Sequence, residues 1–236
     1  QLLAMGSPQR RVCILRLGAL YGPQREFEQR FARLAGSTQP GRGERFTSWV
    51  HRGDAGGGWV DESTSAQPRD EHGAVLLEAE RQLLAMGSPQ RRVCILRLGA
   101  LYGPQREVEQ RFARLAGSTQ PGRGERFTSW VHRDDAAAAA IAALDGHWHG
   151  IVNVVDDVPV PLAELLNASL AQAGLAPITW QQASEPGNPG LNRRISNRLL
   201  KQRGFQLNHP RIALLSGDGA PQREPTSTAE PTSPQR

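Results

Sequence analysis

Val93-Cys94-Ile95-Leu96-Arg97-Leu98-Gly99-Ala100-Leu101-Tyr102-Gly103-Pro104 is the stretch on which the fold turns. Six residues, apolar but for one arginine, end at a glycine, the pattern of a strand buried on both faces. Downstream, Glu107 to Ala116 carries Val108, Phe112 and Leu115 at helical spacing. Asp134-Asp135 followed by Ala136 to Leu144 predicts a capped helix with acids in its first turn. Ile151 to Val155 predicts a second strand, and Pro161 to Ala173 a helix started by proline and stopped by Gly174. Upstream, Gly73 to Met86 predicts a helix with Val75, Leu76, Ala79, Leu83 and Leu84 on one side. Strands alternating with helices predict an α/β fold, a mainly parallel sheet with helices on both faces.

The same stretch occurs twice. Residues 1–52 recur as 82–133 with one difference, Phe27 against Val108, and the copies part after Arg52 and Arg133. Solenoids repeat short, diverged units. Two long, nearly identical copies mark instead a recent duplication or an assembly product, so a role inferred for one copy need not hold for the other. The strand of copy one, Val12 to Leu17, either docks into the sheet as a substitute, out of its native register and with an open edge, or competes with copy two for one position. A homodimer or a strand-swapped dimer is a further expectation.

The chain has 236 residues, enough for a sizeable core, and a net charge of +5. Of 28 basic residues only Lys201 is a lysine, and the arginines are interleaved with 23 acids without forming a stripe. No nucleic-acid partner is therefore expected. No apolar run approaches the ~20 residues that cross a bilayer, and Gln1 to Met5 lacks a basic leader region, so neither a membrane partner nor a signal peptide is expected and the location is read as cytoplasmic. Two cysteines, Cys13 and Cys94, make neither a disulfide framework nor a four-ligand zinc site, and both are expected buried and inert. His147-Trp148-His149 near Asp145 is read as a polar surface loop and not as a metal site, since alternate residues of an extended segment point opposite ways.

Several segments, in order, resemble the NAD-dependent epimerase/dehydratase family, the extended short-chain dehydrogenase/reductases. Trp59-Val60-Asp61-Glu62-Ser63-Thr64 with Gln67-Pro68 resembles the loop before that family's catalytic helix. Leu96 to Pro104 resembles its "LRxxxxYGP" strand and turn, and Trp130 to Ala136 its "IHVDDxA" segment. Asn153 to Asp157 with Pro161 to Leu165 resembles "NVVDD…ELL", and Arg193 to Phe205 the closing "K-x-SN-x-x-L…LGF". The resemblance covers about residues 54 to 212. It implies a Rossmann-like sheet, here missing its first half, a small C-terminal lobe, NAD or NADP as cofactor and a nucleotide-sugar-like substrate. The corresponding divisions are 1–53 for the duplicated segment, 54–150 for the Rossmann-like remainder, 151–215 for the small lobe and 216–236 for a tail rich in Pro, Ser and Thr that is expected disordered.

Three departures accompany the resemblance. No GxxGxxG turn, which cradles a dinucleotide pyrophosphate at a helix N-terminus, occurs in these 236 residues; Gly53 to Gly58 leads into Trp59-Val60 instead. The YxxxK pair is absent as well. Laying "YGxxKxxxE" on the predicted helix puts His72 at the tyrosine, Leu76 at the lysine and Glu80 at the acid. His72 is then either an acid–base group or an ordinary residue near a helix start. Ser48 falls where the family's Ser/Thr would lie, but belongs to copy one. By resemblance Leu98, Gly99, Ala100 and Leu101 line the cofactor, and His132, Arg193 and Arg194 face the substrate. The alternatives are a strand-ending turn, a hydrogen-bonded structural histidine and a solvated basic turn. Taken together the chain reads as an NAD(P)-binding, epimerase/dehydratase-like protein of impaired activity, or else as a non-catalytic remnant, an interaction protein or a misassembled fragment of such an enzyme.

Overall fold

The computed structural model describes residues 11–16, 56–66, 71–89, 91–104, 107–181 and 192–212, with the backbone alone for 11–16 and for residues 71 and 72. Ser48, the tail from 216 and most of the 1–53 segment lie outside the described residues.

In chain order the strands are β1 (Arg11–Arg16), β2 (Trp59–Val60), β3 (Arg92–Leu98), β4 (Ala100–Tyr102), β5 (Thr119–Pro121), β6 (Phe127–Thr128), β7 (Trp130–His132), β8 (Gly150–Val154), β9 (Val160–Pro161), β10 (Thr179–Gln181) and β11 (Arg194–Ile195). The helices are α1 (Glu71–Ala85), α2 (Val108–Phe112), α3 (Arg133–Asp145), α4 (Leu162–Gln172) and α5 (Arg198–Gln202). The strand predicted at 93–98 forms as β3, and all but its first residue is buried. β3 is central in a parallel sheet of order β1-β3-β8. Its alternate residues serve opposite faces. Cys94, Leu96 and Leu98 pack with Ala136, Ala139 and Ala143 of α3 and Leu200 of α5. Arg97, facing the other way, meets Glu80 of α1. Helices thus cover both faces, as the sequence predicts.

β1 is the strand of copy one. It pairs with β3 in register, each residue beside its own duplicate, from Arg11 on Arg92 to Arg16 on Arg97. The copies do not compete for a single position in this sheet. They lie side by side, because a parallel ladder accepts the same apolar run on both strands. Among the described residues β1 is the edge of the sheet.

A second core gathers Tyr102, Val108, Phe112 and Trp130 with Leu162, Leu165, Leu166, Leu170, Ile178 and Ile212. It takes side chains from both sides of position 150, while β8 belongs to the central sheet. Three local readings change. The helix expected over 107–116 is α-helical only to Phe112 and continues as a 3-10 turn over Ala113–Leu115. The cap of α3 is not an aspartate: the ring of His132 accepts the Asp134 N–H, while Asp134 and Asp135 supply the acidic first turn. The 147–149 loop is not wholly a surface feature, since Trp148 is buried in the first core between half-buried His147 and exposed His149. Among the described residues no group of side chains could hold a metal ion, and no helix is long and apolar enough to cross a membrane.

Candidate functional site

The carboxyl ends of β4, β7 and β8 meet, and a parallel α/β sheet takes its ligands at such ends. Tyr102 closes β4, His132 closes β7, and Asp156 follows β8 by two residues. All three are buried. The Tyr102 and His132 rings meet edge to face at 5.2 Å, and His132 stacks on His209 at 3.6 Å. Asp135, wholly buried in the first turn of α3, accepts the Asn208 N–H at 2.9 Å and the His209 N–H at 2.8 Å. His209 Nδ1 lies 3.2 Å from the same carboxylate. Gly103 completes the turn with φ of 120°; a Cβ there would stand 2.6 Å from His132 Nε2.

Electrostatics sets these groups apart. Burial, reinforced by the charges of Asp135 and Asp157, pushes the Asp156 carboxyl up to about 7; the Tyr102 hydroxyl and the His132 backbone act in the opposite sense. Neither carboxyl oxygen has a hydrogen-bond partner among the described residues. Burial and then Asp156 push the Tyr102 hydroxyl well above its ordinary value. Tyr102 therefore holds its proton at neutral pH and does not stand in for an activated tyrosine. Burial and the neighbouring His209 push His132 down. His132 thus joins a structural cluster, as helix cap and stacking partner.

A second ionic group holds α1. Arg97 Nε donates to Glu80 Oε1 at 3.0 Å and Nη2 to Oε2 at 2.7 Å, both side chains being buried. Glu62 lies nearby, its Oε1 accepting the Asn153 N–H at 2.7 Å. Burial pushes the Glu62 carboxyl up, and Arg97 partly offsets the rise. The pair fixes the phase of α1. Positions 72, 76 and 80 recur at four-residue spacing along one side of the helix. His72 and Leu76 thus share a side of α1 with Glu80, and the His72 side chain lies outside the described residues. Leu76 is half-buried and brings no cation there.

Leu98, Gly99, Ala100 and Leu101 run across the junction of two strand pairs. The Gly99 N–H donates to the Val154 carbonyl at 3.0 Å and the Ala100 N–H to the Ser129 carbonyl at 2.9 Å. The Leu101 carbonyl accepts from Arg111. Arg193 and Arg194 do not form a solvated turn. Arg193 is buried, and Arg194, on β11 beside β2, lies over the Phe127 ring at 4.1 Å. They belong to a different strand pair from His132. The sequence marks Asp135 only as a first-turn acid and Asp156 only as part of the Asn153 to Asp157 segment, and His209 not at all; only the chain path brings them together.

Among the described residues no glycine-rich turn opens a helix. Gly57 has φ of 83°, but its N–H donates to the Asn192 carbonyl and its Cβ direction faces Phe127 and Asn192. That glycine run enters β2 and opens no helix. The helix starts that could face a pyrophosphate carry acids: Glu71 begins α1, and Glu109, Asp134, Asp135 and Glu164 lie in the first turns of α2, α3 and α4. These acids repel an anion.

No protein-family model matches the chain. It is 40% identical over 77 residues to a 3-diazoavenalumate denitrifying reductase of a Streptomyces species, a match covering 30% of this chain. The chain spans about a quarter of the length of that curated relative. A conserved protein of unknown function from Silicibacter pomeroyi superposes with a TM-score of 0.58 at 25% identity, over 85% of this chain and 73% of that one. The UDP-glucose 4-epimerase of Thermus thermophilus, solved with NAD, superposes with a TM-score of 0.57 at 20% identity, over 84% and 59% of the two chains. The fold of this chain is that of an NAD-dependent epimerase, as its sequence resemblance implies.

Proposed function

We propose that this chain carries the strand ends and small lobe that face a nucleotide-sugar-like ligand in an NAD(P)-binding, epimerase/dehydratase-type fold, and that in its 236 residues cofactor binding and turnover are impaired. The observation that supports the reading is the Glu80–Arg97 pair, which holds α1 on the sheet; on the resemblance, that helix carries His72 and Leu76 where the family has tyrosine and lysine. A leucine supplies no charge to lower a neighbour's pKa or hold a ribose. When bound, the nicotinamide would supply the hydride chemistry, and the protein would supply orientation and proton transfer. What the chain's own residues do is narrower. Arg97 and Glu80 lock α1 on the sheet, Tyr102 retains its proton, and Leu98 to Leu101 offer the backbone that would line a cofactor. Arg193 and Arg194 remain the proposed substrate-side cations, and Ser48 and His72 the proposed catalytic positions. A cytoplasmic location completes the reading. β1 at a sheet edge, identical to its neighbour, offers a route to a homodimer.

Titration with NADH and with NADPH, followed by tryptophan quenching, tests the reading. No saturation up to about millimolar cofactor, a binding free energy weaker than about −4 kcal/mol, is expected. Saturation at micromolar cofactor would overturn the impairment and leave the fold untouched. Light scattering on the same samples reads the state of association.

A further inference from the structure

The segment 208–212 is laid across the carboxyl ends of β4 and β7 and is tied down at several points. Asn208 and His209 donate their N–H groups to Asp135, the Pro210 carbonyl accepts the Asp157 N–H at 2.8 Å, and Ile212 is buried in the second core. The His209 ring adds its stack on His132, and the Tyr102 hydroxyl donates to the Arg211 carbonyl at 3.1 Å. That hydroxyl has one proton to give. Its other claimant is Asp156, buried, with no partner on either oxygen among the described residues.

We propose that Tyr102 is a switch: with Asp156 neutral its hydroxyl holds the Arg211 carbonyl and keeps the 208–212 strap docked, and with Asp156 ionised the hydroxyl turns to the carboxylate and the strap loosens. A neutral carboxyl needs no donor. A buried carboxylate does, and Tyr102 is the hydroxyl at hand. The groups that act on Asp156 are Tyr102 on β4, His132 on β7, Asp135 on α3 and Asp157 on its own loop; on the strap, His209 lies against Asp135 and the Arg211 carbonyl against Tyr102. Asp135 and Asp157 oppose its ionisation, and Asp157 is itself paired with Lys201 at 2.8 Å.

The sign follows from linkage. The docked state keeps the Asp156 proton up to about pH 7, whereas a released, solvated carboxyl loses it near 3.8. Docking therefore takes up a proton between those values, weakens as pH rises toward 7, and levels off above it. His132, pushed down in the docked state, works in the opposite sense below about pH 6.5.

Amide hydrogen exchange on the full chain, corrected for the intrinsic pH dependence of exchange, tests this. Protection of residues 208, 209 and 157 is expected to fall about threefold to tenfold between pH 6 and pH 8. Protection in β3 and β8 should hold steady. In Asp156→Asn, permanently neutral, the fall is expected to vanish. In Tyr102→Phe the strap is expected to be less protected at pH 6, and the midpoint of the fall to move up in pH, because the hydroxyl no longer eases the ionisation of Asp156. Unchanged protection in the wild type, an equal slope in Asp156→Asn, wild-type protection at pH 6 in Tyr102→Phe, or a parallel loss in β3 and β8 would each overturn the switch. Should a variant fail to fold, carbon NMR of the wild type decides. The Asp156 carboxyl and the Arg211 carbonyl are expected to titrate together near pH 7, and independent behaviour overturns the proposal.

Discussion

Replacing Glu80 by alanine is expected to cost about 3–5 kcal/mol of folding free energy, the scale of leaving one member of a buried ion pair alone. The reason lies in the surroundings of Arg97. Both of its bonds to Glu80 are charge-assisted and nearly dry, and its third nitrogen, Nη1, has no hydrogen-bond partner among the described residues. Water cannot replace the lost carboxylate at a side chain only 7% exposed. The loss is expected as a lower urea midpoint with an unchanged slope, since the folded surface does not change. The double variant Glu80→Leu with Arg97→Leu should recover most of it, because apolar groups of similar volume need no partner. If the alanine variant moved the midpoint by less than about 1 kcal/mol, the pair would not be what fixes α1. The frame that places His72 and Leu76 would then fail with it.

Gly99→Val is expected to destabilise the chain by about 3 kcal/mol, the upper part of the range for forcing atoms into a packed interior. Gly99 stands where the chain leaves β3 and begins to pair with β7. A Cβ there would lie 2.7 Å from the Trp130 carbonyl carbon, 2.8 Å from its oxygen and 3.0 Å from the Ser129 oxygen. These are backbone atoms already committed to the sheet: the Ser129 carbonyl accepts the Ala100 N–H and the Trp130 carbonyl accepts the Asp156 N–H. They cannot step aside without breaking the junction that brings Tyr102, His132 and Asp156 together. Gly103→Ala provides the contrast. Its Cβ would meet the His132 ring, a side chain, so its cost is expected to come from the φ of 120° and a ring shift, and to be smaller. A thermal denaturation series over Gly99→Ala, Gly99→Val and Gly103→Ala reads both. Equal losses at the two glycines would show that the backbone of Trp130 yields.

The alternation of β and α elements was legible because burial on both faces writes a continuous apolar run at Val93 to Leu98. Surface helices write their own spacing, and α4 forms within one residue of its predicted bounds. The four-residue spacing of positions 72, 76 and 80 was legible too, since a helix repeats its faces at fixed spacing. The capping of α3 was not. Asp134 and Asp135 satisfy the ordinary rule for a cap, but the chain enters the helix from a strand end that carries His132, and the ring reaches the amide first. Nor was the burial of Trp148 legible, since flanking histidines make its segment polar while the α3–α5 face has room for one large ring.

By itself the sequence determined the class of fold, the resemblance to an epimerase, the absence of a glycine-rich turn within these residues and the leucine at the lysine position. Each of these is a matter of residue type at short spacing. Tertiary structure alone decided that the two copies of one strand pair side by side, and that Asp156, Tyr102, His132 and His209 share a buried cluster. It also decided that Arg194 rests on an aromatic ring. These contacts join residues dozens of positions apart. Their energies depend on burial and on which donor reaches which acceptor, and those quantities exist only once the chain has closed around them.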